Sequence, residues 1–208
     1  MQSIDAYLTA LASEWPTPGG GSAAIIVAAT GASLVAMVAR ICSTNPKYAG
    51  QHDLARSLIE RADGLRADLL ERRIRDEAAF DRVVAATALP RSTDAEKAAR
   101  ARSLEHALHG AAAEPLGAAK QAVAVLRLTV EMLEIRNANL ASDVGCAAEF
   151  AHAGAAACAY NVRINHRFMK DTELIALQSE TIGRYEREAN ATLAGVRTAV
   201  NELLRPRA

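Results

Sequence analysis

An aspartate on an apolar helix face is the first feature of this sequence that could do chemistry. Asp76 lies seven residues after Leu69 and four before Phe80, so in a helix it shares their face. A buried carboxylate without a partner is unfavourable, so such a group needs either a partner or a raised pKa. The alternative is an ion pair with Arg72 or Arg73, one turn back, which would draw the carboxylate toward solvent.

A second carboxylate and three asparagines stand out in the C-terminal third of the chain. Asp143 opens an apolar helix, where an acid can also serve only to complement the helix dipole. Asn139 lies in the polar joint just before it, a common place for asparagine. Asn161 and Asn165 are four residues apart and therefore share a helix face. Their amides could orient a water or a ligand atom, or form hydrogen bonds between helices.

A proline- and glycine-rich segment, Trp15–Ser22, precedes a long apolar run. Its prolines end any preceding helix, and Gly19, Gly20 and Gly21 allow tight turns and close approach of the backbone to another group. Ser22 is a good N-cap for the helix that follows. The segment therefore predicts either an anion-binding helix N-terminus or a plain helix-start turn. It is not a Walker phosphate loop, because no Gly-Lys-Ser/Thr follows at the required spacing.

Composition excludes several classes of protein. The chain has 208 residues, 50% hydrophobic and 4% aromatic, with a formal net charge of +0. This balance gives no global basic field for nucleic acid, and the apolar run is better read as a buried core helix than as a membrane span. Three dispersed cysteines without a CxxC pair favour a reducing, cytoplasmic setting. His106 and His109 lack the carboxylate spacing of a metal site, so no metal is predicted.

Helical periodicity dominates the sequence, and no alternating strand pattern occurs. Long helices joined by short loops predict an all-α antiparallel bundle that forms one domain over residues 1–208. The nearly uniform apolar character of two helices also suggests burial by a second copy, as in a homodimer. Pro115 is expected to interrupt the fourth helix. The predicted helices are Ser3–Glu14, Ser22–Cys42, Gln51–Ala88, Asp94–Ala113, Leu116–Arg136, Asp143–Met169 and Asp171–Leu204.

Three sequence blocks, spread over nearly the whole chain, carry most of these polar residues. They are Pro16–Ala24; Asp76–Phe80 with Leu89–Arg91; and Asn139–Val144 continuing to Asn161–Asn165 and Asp171. In this order and spacing they resemble the formiminotetrahydrofolate cyclodeaminase/methenyltetrahydrofolate cyclohydrolase family. The likeness is greater to its stand-alone bacterial members than to its fused ones.

The resemblance implies a dimeric all-α bundle that acts on a tetrahydrofolate derivative, with no metal and no cofactor beyond that substrate. The implied reaction is hydrolysis of 5,10-methenyltetrahydrofolate to 10-formyltetrahydrofolate. Cyclodeamination of 5-formiminotetrahydrofolate, with loss of ammonia, is the alternative, and a non-catalytic helical scaffold is the second. The family usually carries a glycine and lysines after the apolar helix, whereas here only Lys47 matches.

The implied chemistry needs a positioned water and a base, because the amidinium carbon of the substrate is already electrophilic. The resemblance makes Asp143 the leading catalytic residue. Asn139, Asn161 and Asn165 would orient water and ring nitrogens, and Asp76 would support the cation. Gly19, Gly20, Gly21 and Ser22 would contact the flat pterin or an anionic part of the substrate. Lys47 would pair with the glutamate tail.

Overall fold

The chain folds into a bundle of α-helices with no strand among residues 3–205, which are the residues described by the computed structural model. The predicted fold class is therefore confirmed. Two short 3-10 segments, Pro46–Gln51 and Ala138–Leu140, join helices at one end of the bundle. The helices are α1 Ile4–Leu11, α2 Gly20–Thr44, α3 His52–Thr87, α4 Asp94–Leu133, α5 Ala141–His166 and α6 Thr172–Leu203.

Helix α2 is the centre of the bundle and contacts α3, α4 and α5. It runs antiparallel to α5 at very short range. A Cβ on Gly31 would lie 2.8 Å from the carbonyl oxygen of Ala147, and one on Gly154 would lie 2.8 Å from the Ala28 Cβ. Small side chains thus let the two backbones approach closely, which an aromatic-poor core requires.

The apolar character of α2 also fits a membrane span by length and composition, with a mean hydropathy of 2.1 over its most apolar window. However, 61% of that window is buried inside the bundle. The helix therefore does what the sequence predicts, which is to form the core.

Helix α2 begins earlier than predicted. Its N-cap is Gly19, in an extended conformation and without a side-chain cap, and the helix starts at Gly20. Ser22 is therefore not the N-cap, and the prediction that it caps the helix is wrong. Its buried hydroxyl instead bonds to side chains of α1 and α3. The helix can begin without a side-chain cap because glycine is also tolerated at the N-cap position.

The predicted break at Pro115 is also wrong, since α4 continues through this residue from Asp94 to Leu133. A proline at position 115 cannot donate the helical hydrogen bond to the carbonyl of Ala111. The side-chain amide of Asn165, on α5, donates to that carbonyl at 3.0 Å. The neighbouring helix thus supplies the bond that the proline removes, and the helix does not need to end.

This replacement predicts coupling between Asn165 and Pro115. Asn165→Leu should cost about 1 to 2 kcal/mol of unfolding free energy, because it leaves the buried Ala111 carbonyl without a donor. In a Pro115→Ala background the backbone N–H of residue 115 can donate instead, so the same change should cost less. Urea unfolding of the four proteins in the double-mutant cycle measures the difference. An equal cost of Asn165→Leu in both backgrounds would contradict the assignment.

Candidate active site

A cavity of about 270 Å³ opens where the start of α2 meets α3, α4 and the end of α5. It combines carboxylates, asparagine amides, the glycine turn and apolar side chains. Six of the sequence-predicted site residues line it, namely Gly19, Gly20, Gly21, Asp76, Asn161 and Asn165. The other residues that line it are Pro16, Thr17, Glu77, Phe80, Val83, Ala111, Ile164 and Phe168.

The Asp76 carboxylate lies directly against the backbone of Gly21. A Cβ at position 21 would overlap the Asp76 Oδ2 atom, so a larger residue there would displace this carboxylate. No hydrogen bond or ion pair joins this carboxylate to any other of residues 3–205. The glycine turn is therefore required at this point for the room it leaves rather than for an unusual backbone angle.

The alternative partners suggested by the sequence are paired elsewhere. Arg72 forms an ion pair with Glu114 of α4 at 2.7 Å, and Arg73 forms one with Glu77 at 2.9 Å. Neither arginine draws Asp76 to the surface. Of the two expectations, the structure therefore supports a carboxylate on an apolar face that has no direct partner, and not the ion pair with an arginine.

Burial raises the pKa of Asp76 to about 6, and the negative charges of Glu114 and Glu77 add to the rise. Burial also raises the pKa of the nearby Cys158 thiol to about 12, so this thiol is neutral at physiological pH. A carboxyl with a pKa near 6 is largely ionised at neutral pH and is still basic enough to accept a proton from an attacking water. Asp76 therefore has the properties of a general base.

Glu77, next to Asp76, holds the glycine turn against α3. Its Oε1 atom accepts hydrogen bonds from the Ser22 hydroxyl at 2.6 Å and from Arg73 at 2.9 Å. The Tyr7 hydroxyl bonds to Ser22 at 2.9 Å, and the Arg73 guanidinium lies over the Tyr7 ring. This network joins α1, α2 and α3, so it fixes the distance between Gly21 and Asp76.

Asn161 and Asn165 both donate their side-chain N–H groups to backbone carbonyls. Asn161 donates to Ala157 at 2.9 Å, and Asn165 donates to Ala111 and to Asn161. The interhelical hydrogen bond that the sequence left open as the simpler reading is thus present for Asn165. Each amide keeps an oxygen acceptor, and both residues line the cavity, so each can also accept a hydrogen bond from a bound water.

The remaining walls of the cavity are apolar. Phe80 comes from α3, Ile164 from the end of α5 and Phe168 from the turn that follows α5. All three are partly exposed, with Phe168 at 60%. Exposed aromatic and aliphatic side chains around a polar floor suit a flat ring that carries a charge at one point.

Four predicted site residues do not line this cavity. Ser22 lies beside it, in the network around Glu77, and the other three lie farther away. Lys47 lies in the first 3-10 segment, with its ammonium over the ring of Tyr48. Asn139 lies in the second 3-10 segment. Asp143 lies in the first turn of α5, eighteen residues before Asn161, which corresponds to about 27 Å along the helix. These three residues form a separate group at the opposite end of the bundle.

The sequence reading missed the network around Glu77. Neither Tyr7 nor Glu77 is among the candidate site residues that the sequence identifies. The position of Glu77 next to a candidate residue was a signal, but the partners Ser22 and Tyr7 are far away in the chain and only the fold shows them. Among residues 3–205 no group of three histidine, cysteine or acidic side chains is arranged to hold a metal ion.

Comparison with known proteins identifies the family to which this chain belongs. The model of the formiminotransferase-cyclodeaminase family matches residues 3–183. The chain belongs to this family. It is 39% identical over 170 residues to a protein named methenyltetrahydrofolate cyclohydrolase from Methylorubrum extorquens, and this covers 82% of each chain. The family resemblance inferred from the three sequence blocks is confirmed.

Two further relatives extend the comparison. The formimidoyltransferase-cyclodeaminase of Rattus norvegicus is 30% identical over 169 residues, which are 81% of this chain and 31% of that protein. The crystal structure of formiminotetrahydrofolate cyclodeaminase from Thermotoga maritima superposes with a TM-score of 0.88 over 98% of both chains, at 24% identity. This likeness establishes that the two proteins share the fold.

The raised pKa of Asp76 predicts that this residue destabilises the fold above pH 6. Between about pH 4 and 6 the folded state binds more protons than the unfolded state, so stability falls as pH rises through this window. Asp76→Asn removes the titration and should raise the free energy of unfolding at pH 7.5 by about 1 to 2 kcal/mol. This is less than the full pKa shift would give, because solvent screens a partly exposed carboxylate.

Thermal unfolding of the wild type and Asp76→Asn from pH 4 to 8 measures this gain. The gain should be small at pH 4 and reach its full size by about pH 7. Asp81→Asn, which changes an exposed aspartate of the same helix, separates the effect from simple loss of a carboxylate on α3. A variant that is less stable than wild type at every pH would contradict the prediction.

Proposed function

We propose that this chain hydrolyses 5,10-methenyltetrahydrofolate to 10-formyltetrahydrofolate in the cytoplasm, with no cofactor beyond the folate substrate. The observation that carries the proposal is Asp76, an unpaired carboxylate of raised pKa that lines the cavity. The identity shared with a methenyltetrahydrofolate cyclohydrolase over most of both chains supports the same substrate.

The cavity suits both the shape and the charge of this substrate. The flat pterin would lie against the aromatic and aliphatic walls formed by Phe80, Ile164 and Phe168. The glycine turn would let the ring approach the backbone at the start of α2. An ionised Asp76 would offset the positive charge of the amidinium group, which favours binding but does not by itself accelerate the reaction.

Asp76 then acts as base and acid in turn. It takes a proton from a water whose oxygen bonds to the amidinium carbon, and the product of this step is a neutral hydroxyl adduct. The bond between that carbon and N5 breaks as the protonated Asp76 returns its proton to N5. The hydroxyl proton leaves for solvent as the formyl C=O forms. With one O–H of the attacking water directed at Asp76, the other would donate to an amide oxygen of Asn161 or Asn165, which sets the direction of attack.

Cyclodeamination of 5-formiminotetrahydrofolate is the second candidate function. It is favoured by the likeness to the bifunctional rat protein and to the Thermotoga fold. The same cavity would serve, because both reactions pass through a tetrahedral carbon between two nitrogens. The non-catalytic scaffold receives less support, because Asp76 shares a cavity with the glycine turn and the named relatives are enzymes.

A side-by-side assay of purified protein separates the two reactions. We expect catalysed loss of methenyl absorbance above the uncatalysed rate, and no ammonia from 5-formiminotetrahydrofolate. Asp76→Asn protein prepared in the same way controls for a contaminating enzyme. Ammonia release at a comparable kcat/KM would instead support the cyclodeaminase.

Asp76→Asn should fold normally and lose about 10²- to 10⁴-fold in kcat, the range typical for removing a general base. In the wild type, kcat/KM should fall as pH drops through about 6, because protonated Asp76 cannot accept a proton from water. Activity measured from pH 5 to 8, corrected for uncatalysed hydrolysis, provides the test. A flat profile, or near-normal turnover by the variant, would remove Asp76 from the mechanism.

A further inference from the structure

A glycine on the face of α4 that contacts α3 makes room for a guanidinium group. Gly117 lies in the interior of α4, where glycine is less favourable for the helix than alanine. A Cβ at position 117 would lie 2.5 Å from the guanidinium carbon of Arg72, which comes from α3. The guanidinium therefore lies directly against the backbone of α4, and an alanine at this position would displace it.

Two side chains of α4 hold the guanidinium in this position. The Nε–H of Arg72 donates to Gln121 Oε1 at 3.0 Å, and its Nη1 donates to Glu114 Oε2 at 2.7 Å. Glu114, Gly117 and Gln121 follow one another at intervals of three and four residues, so they share one face of α4. These three residues are here called the Arg72 cradle.

The cradle competes with Asp76 for Arg72. Asp76 lies four residues after Arg72 on α3, a spacing at which opposite charges on a helix can pair. Both lie near the buried Cys158 thiol, since the charge of each acts on its pKa. Glu114 is also close, because its negative charge helps to raise the pKa of Asp76. Arg72 nevertheless pairs with Glu114, and Asp76 is left without a partner among residues 3–205.

We propose that the Arg72 cradle keeps Asp76 available as a base, and that Gly117 is the positioning residue on which this depends. Without the space at position 117 the guanidinium would leave Gln121 and turn along α3 toward Asp76. An opposite charge beside this carboxylate would lower its pKa and make it a weaker base. The inference rests on the proposed function, in which Asp76 accepts the proton of the attacking water.

Asp68 is the other carboxylate that a displaced Arg72 could reach, since it lies four residues earlier on α3. Asp68 is exposed, so solvent would screen its attraction to an arginine. Asp76 is largely withdrawn from water, where the same charge pair is stronger. The displaced guanidinium is therefore expected at Asp76.

No other group around Asp76 would take over this effect. Arg73 is held by Glu77 at 2.9 Å and lies over the Tyr7 ring. Tyr7 and Cys158 are neutral at pH 7, because burial raises the pKa of each. Helix α2 reaches the carboxylate only with the backbone of its glycine turn. The charged and titratable groups that surround Asp76 are Tyr7 of α1, Arg72, Arg73 and Glu77 of α3, Glu114 of α4 and Cys158 of α5.

Gly117→Ala tests the proposal without changing any charge. The added methyl group meets the end of a flexible side chain, so α4 should remain intact. We expect the acid limb of kcat/KM, near pH 6 in the wild type, to move down by about one pH unit or more. At pH 7.5 kcat should fall by about two- to fivefold, because a weaker base accepts a proton less readily.

Gly64→Ala is the matched control, because it adds the same methyl group to α3 at a position where a Cβ meets nothing within 4 Å. It should leave the pH profile unchanged. An acid limb that stays near pH 6 in Gly117→Ala would overturn the proposal, since Arg72 would then have kept Glu114 or turned to Asp68.

A background without the arginine shows whether Arg72 carries the effect. Arg72→Met protein has no guanidinium to displace, so adding Gly117→Ala should leave the pH profile where Arg72→Met alone puts it. A downward move of the same size in both backgrounds would mean that the methyl group acts through packing, and this would also overturn the proposal.

The titration of Asp76 can be followed without turnover, which separates this inference from the proposed function. The free energy of unfolding of each protein is compared with that of its Asp76→Asn counterpart from pH 4 to 8. At pH 7.5 Asp76→Asn should stabilise the wild type, whereas in the Gly117→Ala background it should be neutral or destabilising, because an ion pair then favours the ionised carboxylate.

This result in a protein that does not turn over methenyltetrahydrofolate would uphold the cradle and reject the proposed function. The same stabilisation by Asp76→Asn in both backgrounds would reject the cradle, whatever the rate of turnover.

Discussion

The site depends on one contact, which is the unpaired Asp76 carboxylate resting against the backbone of Gly21. In most buried positions an arginine one turn away would neutralise such a group. Here Arg72 is held by Glu114 and Arg73 by Glu77, so both nearby cations are occupied. The result is a carboxyl whose pKa of about 6 is set first by burial and then by the neighbouring negative charges. A general base that acts at neutral pH must be ionised at that pH and still basic enough to accept a proton, and a pKa of about 6 meets both requirements.

The elements around this contact serve the fold and the site together. Ser22 and Tyr7 tie the start of α2 to Glu77, and this fixes the glycine turn at the distance that Asp76 requires. Asn165 supplies the hydrogen bond that Pro115 cannot make, and it also lines the cavity. The cavity therefore lies at a point where a proline, two asparagines and a glycine turn are held in place by hydrogen bonds from side chains. Such support keeps the polar groups of the cavity in place.

The same helix, α5, carries Asp143 at its start and Asn161 and Asn165 near its end. Their separation within one chain is a consequence of helix geometry, because eighteen residues of helix cannot bend back on themselves.

The sequence by itself determined the helical fold class and the family. Helix bounds for α3 were predicted to within a residue at each end, because the helix has a clear apolar period and a polar break at both ends. The motifs around Gly21, Asp76 and Asn161 also identified three walls of the cavity, since residues of unusual type on apolar faces are visible without coordinates. The role of Ser22 and the continuity of α4 through Pro115 were missed, because each depends on a partner from a distant helix.

Only the tertiary structure decided which candidates lie together. Periodicity assigns a residue to a face of its own helix, but it does not give the order or the offset of neighbouring helices. That information placed Asp76, the glycine turn and two asparagines in one cavity, and placed Asp143, Asn139 and Lys47 at the opposite end. It also decided that the arginines beside Asp76 pair with glutamates, since the competing acceptor Glu114 comes from α4. Which groups neutralise one another is a property of distances between helices, and no local pattern in the chain encodes it.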